Sequence, residues 1–295
     1  MWEWDMTIER TADGSGRAGP TVARMLLGGR LRRLREARGI TREAAGDAIR
    51  GSDSKISRLE LGRTGFKRRD VDDLLTLYGV TDEAERSELL DLVRQARAAG
   101  WVHDYGDVVP GWMATRLELE QAAALIRGYE MQFVPALLRT ETYARAVLSS
   151  EPEDGGPQVE RRLELLERCR RFLTGPEPPR VWMVIDEAAL RRRVGGLETM
   201  RAQLRHLIDL AGLRHITVQV MPFSTGVAAG GAITLLRFGE PELGDVVYLE
   251  QLTSTLVLDK PTDIYHYRQV MDRLSARAEP PASTVDVLHE ILKST

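Results

Sequence analysis

The sequence predicts a mainly α-helical N-terminal bundle followed by an α+β domain with a small, mostly antiparallel sheet. Three observations lead there. Residues 41–60, TREAAGDAIRGSDSKISRLE, read as a short helix, a tight turn and a second helix opening on small polar and basic side chains. After the Pro-rich turn GPEPP, helical periodicity gives way to short apolar and alternating runs of the kind that half-buried strands need. Positive charge is gathered at one end. Residues 25–69 hold 13 Lys/Arg against 5 Asp/Glu, a net of +8 in a chain whose total is −3, so the remainder carries −11. A length of 295 residues with 43% hydrophobic content suits one small and one medium domain.

The start, residues 1–24, is acidic and then Gly- and Ser-rich, and reads as a disordered tail containing Trp2 and Trp4. It lacks the basic–apolar layout of a signal peptide. Leu27, Leu31, Leu34 and Ala37 then space a first helix. Thr41 sits where an N-cap belongs, with Glu43 adding negative charge to the first turn. Ala44, Ala45, Ala48 and Ile49 put a narrow apolar stripe on the second helix, and Ala44, Ala45 and Gly46 are small enough for a close crossing. Gly51 is the residue expected to supply the positive φ of a sharp turn. Ser52 caps the third helix, Ile56 and Leu59 face inward, and Gly62 ends it. Val71, Leu74, Leu75 and Tyr78 add a fourth helix, so residues 25–80 form a helix-turn-helix bundle.

The outward face of the third helix suits the major groove of duplex DNA. Ser52, Ser54, Lys55 and Ser57 are candidates for base or base-adjacent contact, and Arg58 for phosphate or base. Asp53 either accepts from cytosine N4 or caps the helix. Thr41 and Arg42 would fix register on phosphates. Arg30, Arg32, Arg33, Arg35 and Arg38 before the motif, and Arg63, Lys67, Arg68 and Arg69 after it, enlarge the basic face.

Thr81 opens a further helix with acids in its first turn and Arg94 and Arg97 in its last, and residues 81–100 are expected to connect the two domains. In the α+β domain, residues 101–295, helices are predicted over 114–127, 140–148 and 158–173, separated by Pro135 and the break EPEDGGP. A strand over 181–185, helices over 186–194 and 197–211, and strands over 216–220, 233–238, 246–249 and 255–258 follow. A last pair of helices begins at Pro261.

Catalytic signals are weak. Asp186 and Glu187 are the best carboxylate pair, but acids after a strand and at a helix start are ordinary capping chemistry. The five histidines show no metal-ligand spacing, and Gly195–Gly196 and Gly230–Gly231 match no nucleotide-binding fingerprint. Neither catalysis, a metal nor a cofactor is expected. Cys169, the single cysteine, cannot form an internal disulfide and reads as packing. No apolar run reaches the ~20 residues of a membrane span, and a cytoplasmic, nucleoid-associated protein is expected. Trp101, Tyr105, Trp112, Tyr129 and Phe133 form an aromatic-rich stretch that could serve a partner surface, a small-ligand pocket or plain packing.

The segment LGGRLRRLREARGITREAAGDAIRGSDSKISRLELGR resembles the phage-repressor/Cro class, the XRE family, whose usual run is T-Q-E-E-L-A followed by S-x-S-x-I-S-R-I-E-x-G. Thr41, Glu43, Ser52, Ser54, Ile56, Ser57, Arg58, Glu60 and Gly62 match. Arg42 replaces the usual Gln, and Arg50–Gly51 stands where Gly and an apolar residue are more common. Further on, GWVHDYGDVVPGW, IRGYEMQFVPALLRTETYARAV, VIDEAALRRRVGG, MRAQLRHLIDLA, ITVQVMPF, VVYLE and LDKP are similar, in order, to actinobacterial regulators of the WhiJ type. One departure is that Gly226, Val227, Ala228, Ala229 and Gly230 hold no His where many relatives have one. The resemblance implies a repressor that binds double-stranded DNA as a homodimer, with a C-terminal domain that takes a small BldB-like protein partner. The alternatives are an antitoxin-like module that regulates its own synthesis and a small-molecule-responsive regulator.

Overall fold

The structure is a computed structural model that describes residues 19–150, 156–226, 229–251 and 254–295. Trp2 and Trp4, most of the break EPEDGGP, and Val227 and Ala228 lie outside the described residues. The chain divides into two compact units. One runs to Asp104 and takes in Phe238–Gly244, and the other holds Tyr105–Arg237 and Asp245–Thr295.

The N-terminal unit is built from α1 (Pro20–Ala37), α2 (Arg42–Ala48), α3 (Asp53–Glu60), α4 (Arg68–Leu77) and α5 (Glu83–Arg97). Helix α1 begins earlier than the expected tail allows. Pro20 has the φ of a first helical residue, and Thr21, Val22 and Ala23 are buried, so residues 20–24 belong to the bundle. Leu27, Leu31, Ile56, Leu59, Val71, Leu74, Leu75 and Tyr78 form its core. Leu34 is only half-buried and Ala37 exposed. Helix α5 is capped by Asp82, whose carboxylate accepts from Glu85 N at 3.0 Å, rather than by Thr81. Instead of simply connecting domains, α5 packs along α1 and buries Leu89, Leu92, Val93 and Ala96. Its apolar stripe needs a partner surface, which explains its place in the bundle.

The second unit contains α6 (Gly111–Ala122), β1 (Leu125–Glu130), α7 (Glu141–Leu148), α8 (Gly156–Arg170), β2 (Arg180–Asp186), α9 (Glu187–Arg191), α10 (Leu197–Ala211), β3 (Ile216–Met221), β4 (Ile233–Arg237), β5 (Val246–Glu250), β6 (Thr255–Leu258), α11 (Pro261–Arg277) and α12 (Thr284–Ser294). The strands form one mixed sheet in the order β3-β2-β1-β4-β5-β6. β1 pairs parallel to β2 and β2 to β3, whereas β1–β4, β4–β5 and β5–β6 are antiparallel. This is the α+β class, with three of its five pairings antiparallel.

The expected helix over 114–127 is corrected. It ends at Ala122, and Leu125–Glu130 is a central strand with Leu125 to Tyr129 all buried. A short apolar run buried on both faces has no alternation, so its period could not separate strand from helix. On one sheet face Tyr129, Val184, Ile233, Leu235 and Val247 pack with Ile264, Met271 and Leu274 of α11. Among the described residues no helix is long and apolar enough to cross a membrane.

Candidate nucleic-acid interface

The interface is built from α2, the turn after it, and α3. Thr41 and Ser52 cap the two helices: Thr41 Oγ1 accepts from Ala44 N at 3.1 Å, and Ser52 Oγ accepts from Lys55 N at 3.2 Å. Ala45, Gly46 and Ile49 bury the inner face of α2, whereas Ala44 and Ala48 are exposed, so the apolar stripe is narrower than expected. A Cβ on Gly46 would lie 3.0 Å from Ser52 C and 3.2 Å from Gly51 O, which makes Gly46 the close-approach residue of the turn.

The turn itself departs from expectation. Arg50, at φ 51°, takes the left-handed conformation, and Gly51 does not. Among the described residues it is the only non-glycine with positive φ. Arg50 N donates to Asp47 O at 3.1 Å and Gly51 N to Gly46 O at 2.8 Å, which closes α2 in the usual way and places the reversal one residue earlier. Gly62 does take φ 65° at the end of α3, as the sequence requires.

Helix α3 is held from behind by α1. A Cβ on Gly28 would lie 2.5 Å from Leu59 O and 2.7 Å from Glu60 O, so only glycine permits this crossing. Glu60 receives the Arg35 guanidinium twice, Nε to Oε1 at 2.6 Å and Nη2 to Oε2 at 3.0 Å, and Arg35 Nη1 also donates to Ile40 O at 2.9 Å. The Glu60 carboxylate holds the Arg35 guanidinium above its usual range. Arg35 is therefore buried structure and not part of a basic face. Arg30 pairs with Glu88 at 2.5 Å, Arg32 with Glu36 at 2.8 Å, and Arg38 donates to Gly79 O at 3.2 Å.

Of the candidates on α3, Ser52, Asp53, Ser54 and Arg58 are exposed, and Ser57 is half-buried. Asp53 is not the cap. Ser52 fills that role, and the Asp53 carboxylate meets Arg42 Nε at 3.0 Å, tying together the first residues of α2 and α3. Lys55 is drawn back toward α4, with Nζ 2.6 Å from Asp70 Oδ2. Arg50, Arg58, Lys67 and Arg68 are exposed cations with no ion pair among the described residues, and Arg63 is exposed beside them in sequence. The surface thus offers two capped helix starts, a small polar patch and a set of uncommitted arginine and lysine side chains.

The aromatic residues of the second candidate set do not form one patch. Tyr129 is fully buried in the sheet core, where its hydroxyl donates to Asp186 Oδ2 at 3.0 Å. Tyr105 is nearly buried beneath the Arg161 guanidinium, 4.4 Å from the ring centre, and Phe133 lies 5.8 Å from that of Arg139. Trp101 and Trp112 are half-buried. Burial and arginine stacking account for Tyr129, Tyr105 and Phe133, so a single surface made of all five is not present.

Asp186 behaves as capping chemistry predicts, with Oδ1 accepting from Ala188 N at 2.9 Å, while Glu187 pairs with Arg191 at 2.6 Å. Burial pushes the Cys169 thiol up to about 12, consistent with packing. Among the described residues no group of three His, Cys, Asp or Glu could hold a metal ion. Sequence reasoning missed a half-buried charged cluster on the other sheet face. Arg116 meets both Glu250 and Glu120, and burial pushes Glu130 up to about 7 against the pull of Arg139. Its members come from α6, β1 and β5, far apart in sequence, and no local pattern announces them.

A family model described as a helix-turn-helix domain matches residues 26–89, and one described as a domain of unknown function (DUF5753) matches residues 113–290. No curated protein and no solved structure gives a match. The first match covers the interface just described, and supports a DNA-binding regulator of the XRE-like kind. The second spans more than half of the chain, which therefore belongs to the DUF5753 family, carrying its domain behind an N-terminal helix-turn-helix.

Proposed function

We propose that this protein is a sequence-specific transcriptional repressor that binds duplex DNA as a homodimer and is gated through its C-terminal unit by a small BldB-like protein. The observation that carries the DNA half is the exposed face of α3, with Ser54 in its first turn and Arg58 in its last, together with two capped helix starts and uncommitted cations. Helix starts attract phosphate through their free N–H groups and dipole. Thr41, Arg42, Arg63 and Lys67 would set register, and Ser52, Asp53, Ser54, Lys55, Ser57 and Arg58 would face the base edges. Lys55 and Arg42 must exchange their intramolecular carboxylates for DNA to do so. Two such helices related by a two-fold axis would enter major grooves ~34 Å apart.

For the partner half, support comes from the resemblance and from an apolar sheet edge. β6 is the outermost strand, and its Leu256 is 53% and Val257 40% exposed. An unpaired edge with exposed apolar side chains is a natural surface for another chain.

The test is selection of an operator from random duplexes with the full chain, then titration of Arg58→Ala on operator and on random DNA. Base reading predicts a loss of ~1–3 kcal/mol confined to the operator. An equal loss on both makes Arg58 a phosphate contact, and failure to enrich any sequence overturns the specific-regulator reading. For the gate, the small proteins that co-purify with the chain are added to the operator complex. Release of operator supports gating, and unchanged occupancy removes it.

A further inference from the structure

The C-terminal unit carries an open cleft of about 550 Å³ between α11, the start of β4 and the end of β5. Ile233, Leu249, Val270 and Leu274 make its lining largely apolar. Arg273 and Arg277, one turn apart on α11, stand at its exposed rim. Neither holds an ion pair among the described residues, although Arg268 on the same helix is committed to Asp245 at 2.5 Å. The lip carries Gly230 and Gly231, where an added Cβ would meet nothing within 4 Å.

Position in the sheet adds a second argument. Ile233 is paired with Tyr129 near the end of β1, and Leu249 lies near the end of β5. The cleft therefore opens where the parallel strands β1 and β2 finish, the end of the sheet at which open α/β folds bind ligands. Its volume falls within the ~300–1,000 Å³ of small-molecule sites. Two guanidinium groups spaced along one helix face favour an oxyanion over a neutral polar group.

We infer that this cleft binds an amphipathic organic anion, with its apolar body against Leu249, Val270 and Leu274 and its oxyanion head between Arg273 and Arg277. Occupation of this site does not depend on the proposed DNA reading.

The experiment uses the full chain without DNA and two fluorescent probes that share one ring system. 1-Anilinonaphthalene-8-sulfonate carries an anionic head, and N-phenyl-1-naphthylamine lacks it. The sulfonate should bind saturably, one molecule per chain, about tenfold or more tighter than the neutral probe. Replacing both arginines (Arg273→Gln with Arg277→Gln) should abolish that preference and leave the neutral probe's affinity unchanged. Val270→Trp should weaken both probes by filling the apolar end. Binding of the sulfonate that is indifferent to the two arginine changes, uptake of many copies per chain, or no uptake of either probe would overturn the inference. Because both arginines are exposed, their replacement leaves the core intact, and operator retention measured separately keeps failure here distinct from failure of the DNA reading.

Discussion

Replacing Glu60 by Ala would test whether the reading helix is positioned by a buried ion pair. The Arg35 and Glu60 side chains are 10% and 6% exposed and form two parallel hydrogen bonds, at 2.6 and 3.0 Å. Together they tie α1 to the last residue of α3. Removing one partner of such a pair costs roughly 3–5 kcal/mol, because the remaining charge stays buried without compensation. Arg35 keeps its bond to Ile40 O at 2.9 Å and a longer one to Glu36 at 3.4 Å, which places Glu60→Ala near the lower limit, about 3 kcal/mol. The guanidinium cannot relieve the strain by losing its proton. Replacing both residues by apolar ones, Arg35→Met with Glu60→Leu, should return stability to within about 1 kcal/mol of the native chain. Hydrogen exchange of the α3 amides reads the effect locally and avoids the unfolding of a second unit. A loss under about 1 kcal/mol in Glu60→Ala would refute the reasoning, as would a double variant as unstable as the sum of its parts.

Two further outcomes follow from the geometry. Arg50→Gly should raise the stability of the N-terminal unit by up to about 1 kcal/mol, since a left-handed non-glycine residue costs about that much, and a thermal melt showing destabilisation would contradict the strain at φ 51°. Glu130 binds its proton more tightly folded than unfolded, because burial pushes it from 4.5 up to about 7. Folding therefore takes up a proton between those values, and the stabilisation present below the unfolded value is lost as pH rises through about 7. Glu130→Gln should gain about 2–3 kcal/mol on the native chain above about pH 8 relative to below about pH 4, and parallel melting curves across that range would rule the shift out.

Much of this was legible before the structure, for identifiable reasons. The caps Thr41 and Ser52 and the terminator Gly62 are local chemistry, and each does what its residue type requires. Strands β3 to β6 alternate or sit between clear breakers, and the structure has them within a residue or two of expectation. β1 was hidden because Leu125 to Tyr129 is buried on both faces, with Arg127 held by Asp272 at 2.9 Å and stacked on Trp182, so no polar alternation marks it. The sequence points to Gly51 for the turn because glycine is the permissive choice, whereas the chain puts Arg50 in the left-handed position where the resembled family more often has glycine. Long-range partnerships were invisible for a simpler reason. Nothing near Arg35 in sequence indicates that Glu60, 25 residues on, will neutralise it.

Such internal pairing changes what the basic island means. All 13 cations of residues 25–69 suggest a large electrostatic footprint, and about 26 phosphate contacts in a dimer would give a salt slope near −23. The folded bundle spends many of them internally: Arg30, Arg32, Arg35, Arg42 and Lys55 hold carboxylates, and Arg38 holds a carbonyl. Arg50, Arg58, Lys67 and Arg68 remain exposed without an ion pair among the described residues. On random duplex, where Arg42 and Lys55 keep their internal carboxylates, roughly four contacts per chain, or about eight in the proposed dimer, predict a slope of log affinity against log salt near −7. Titration of random duplex DNA over a range of salt concentrations measures it directly. A slope near −11 would mean that the internal pairs open on DNA and that Arg42 and Lys55 join the phosphate contacts. A slope shallower than about −3 would mean that the uncommitted cations do not face the duplex, and the orientation of α3 in the groove would have to be abandoned.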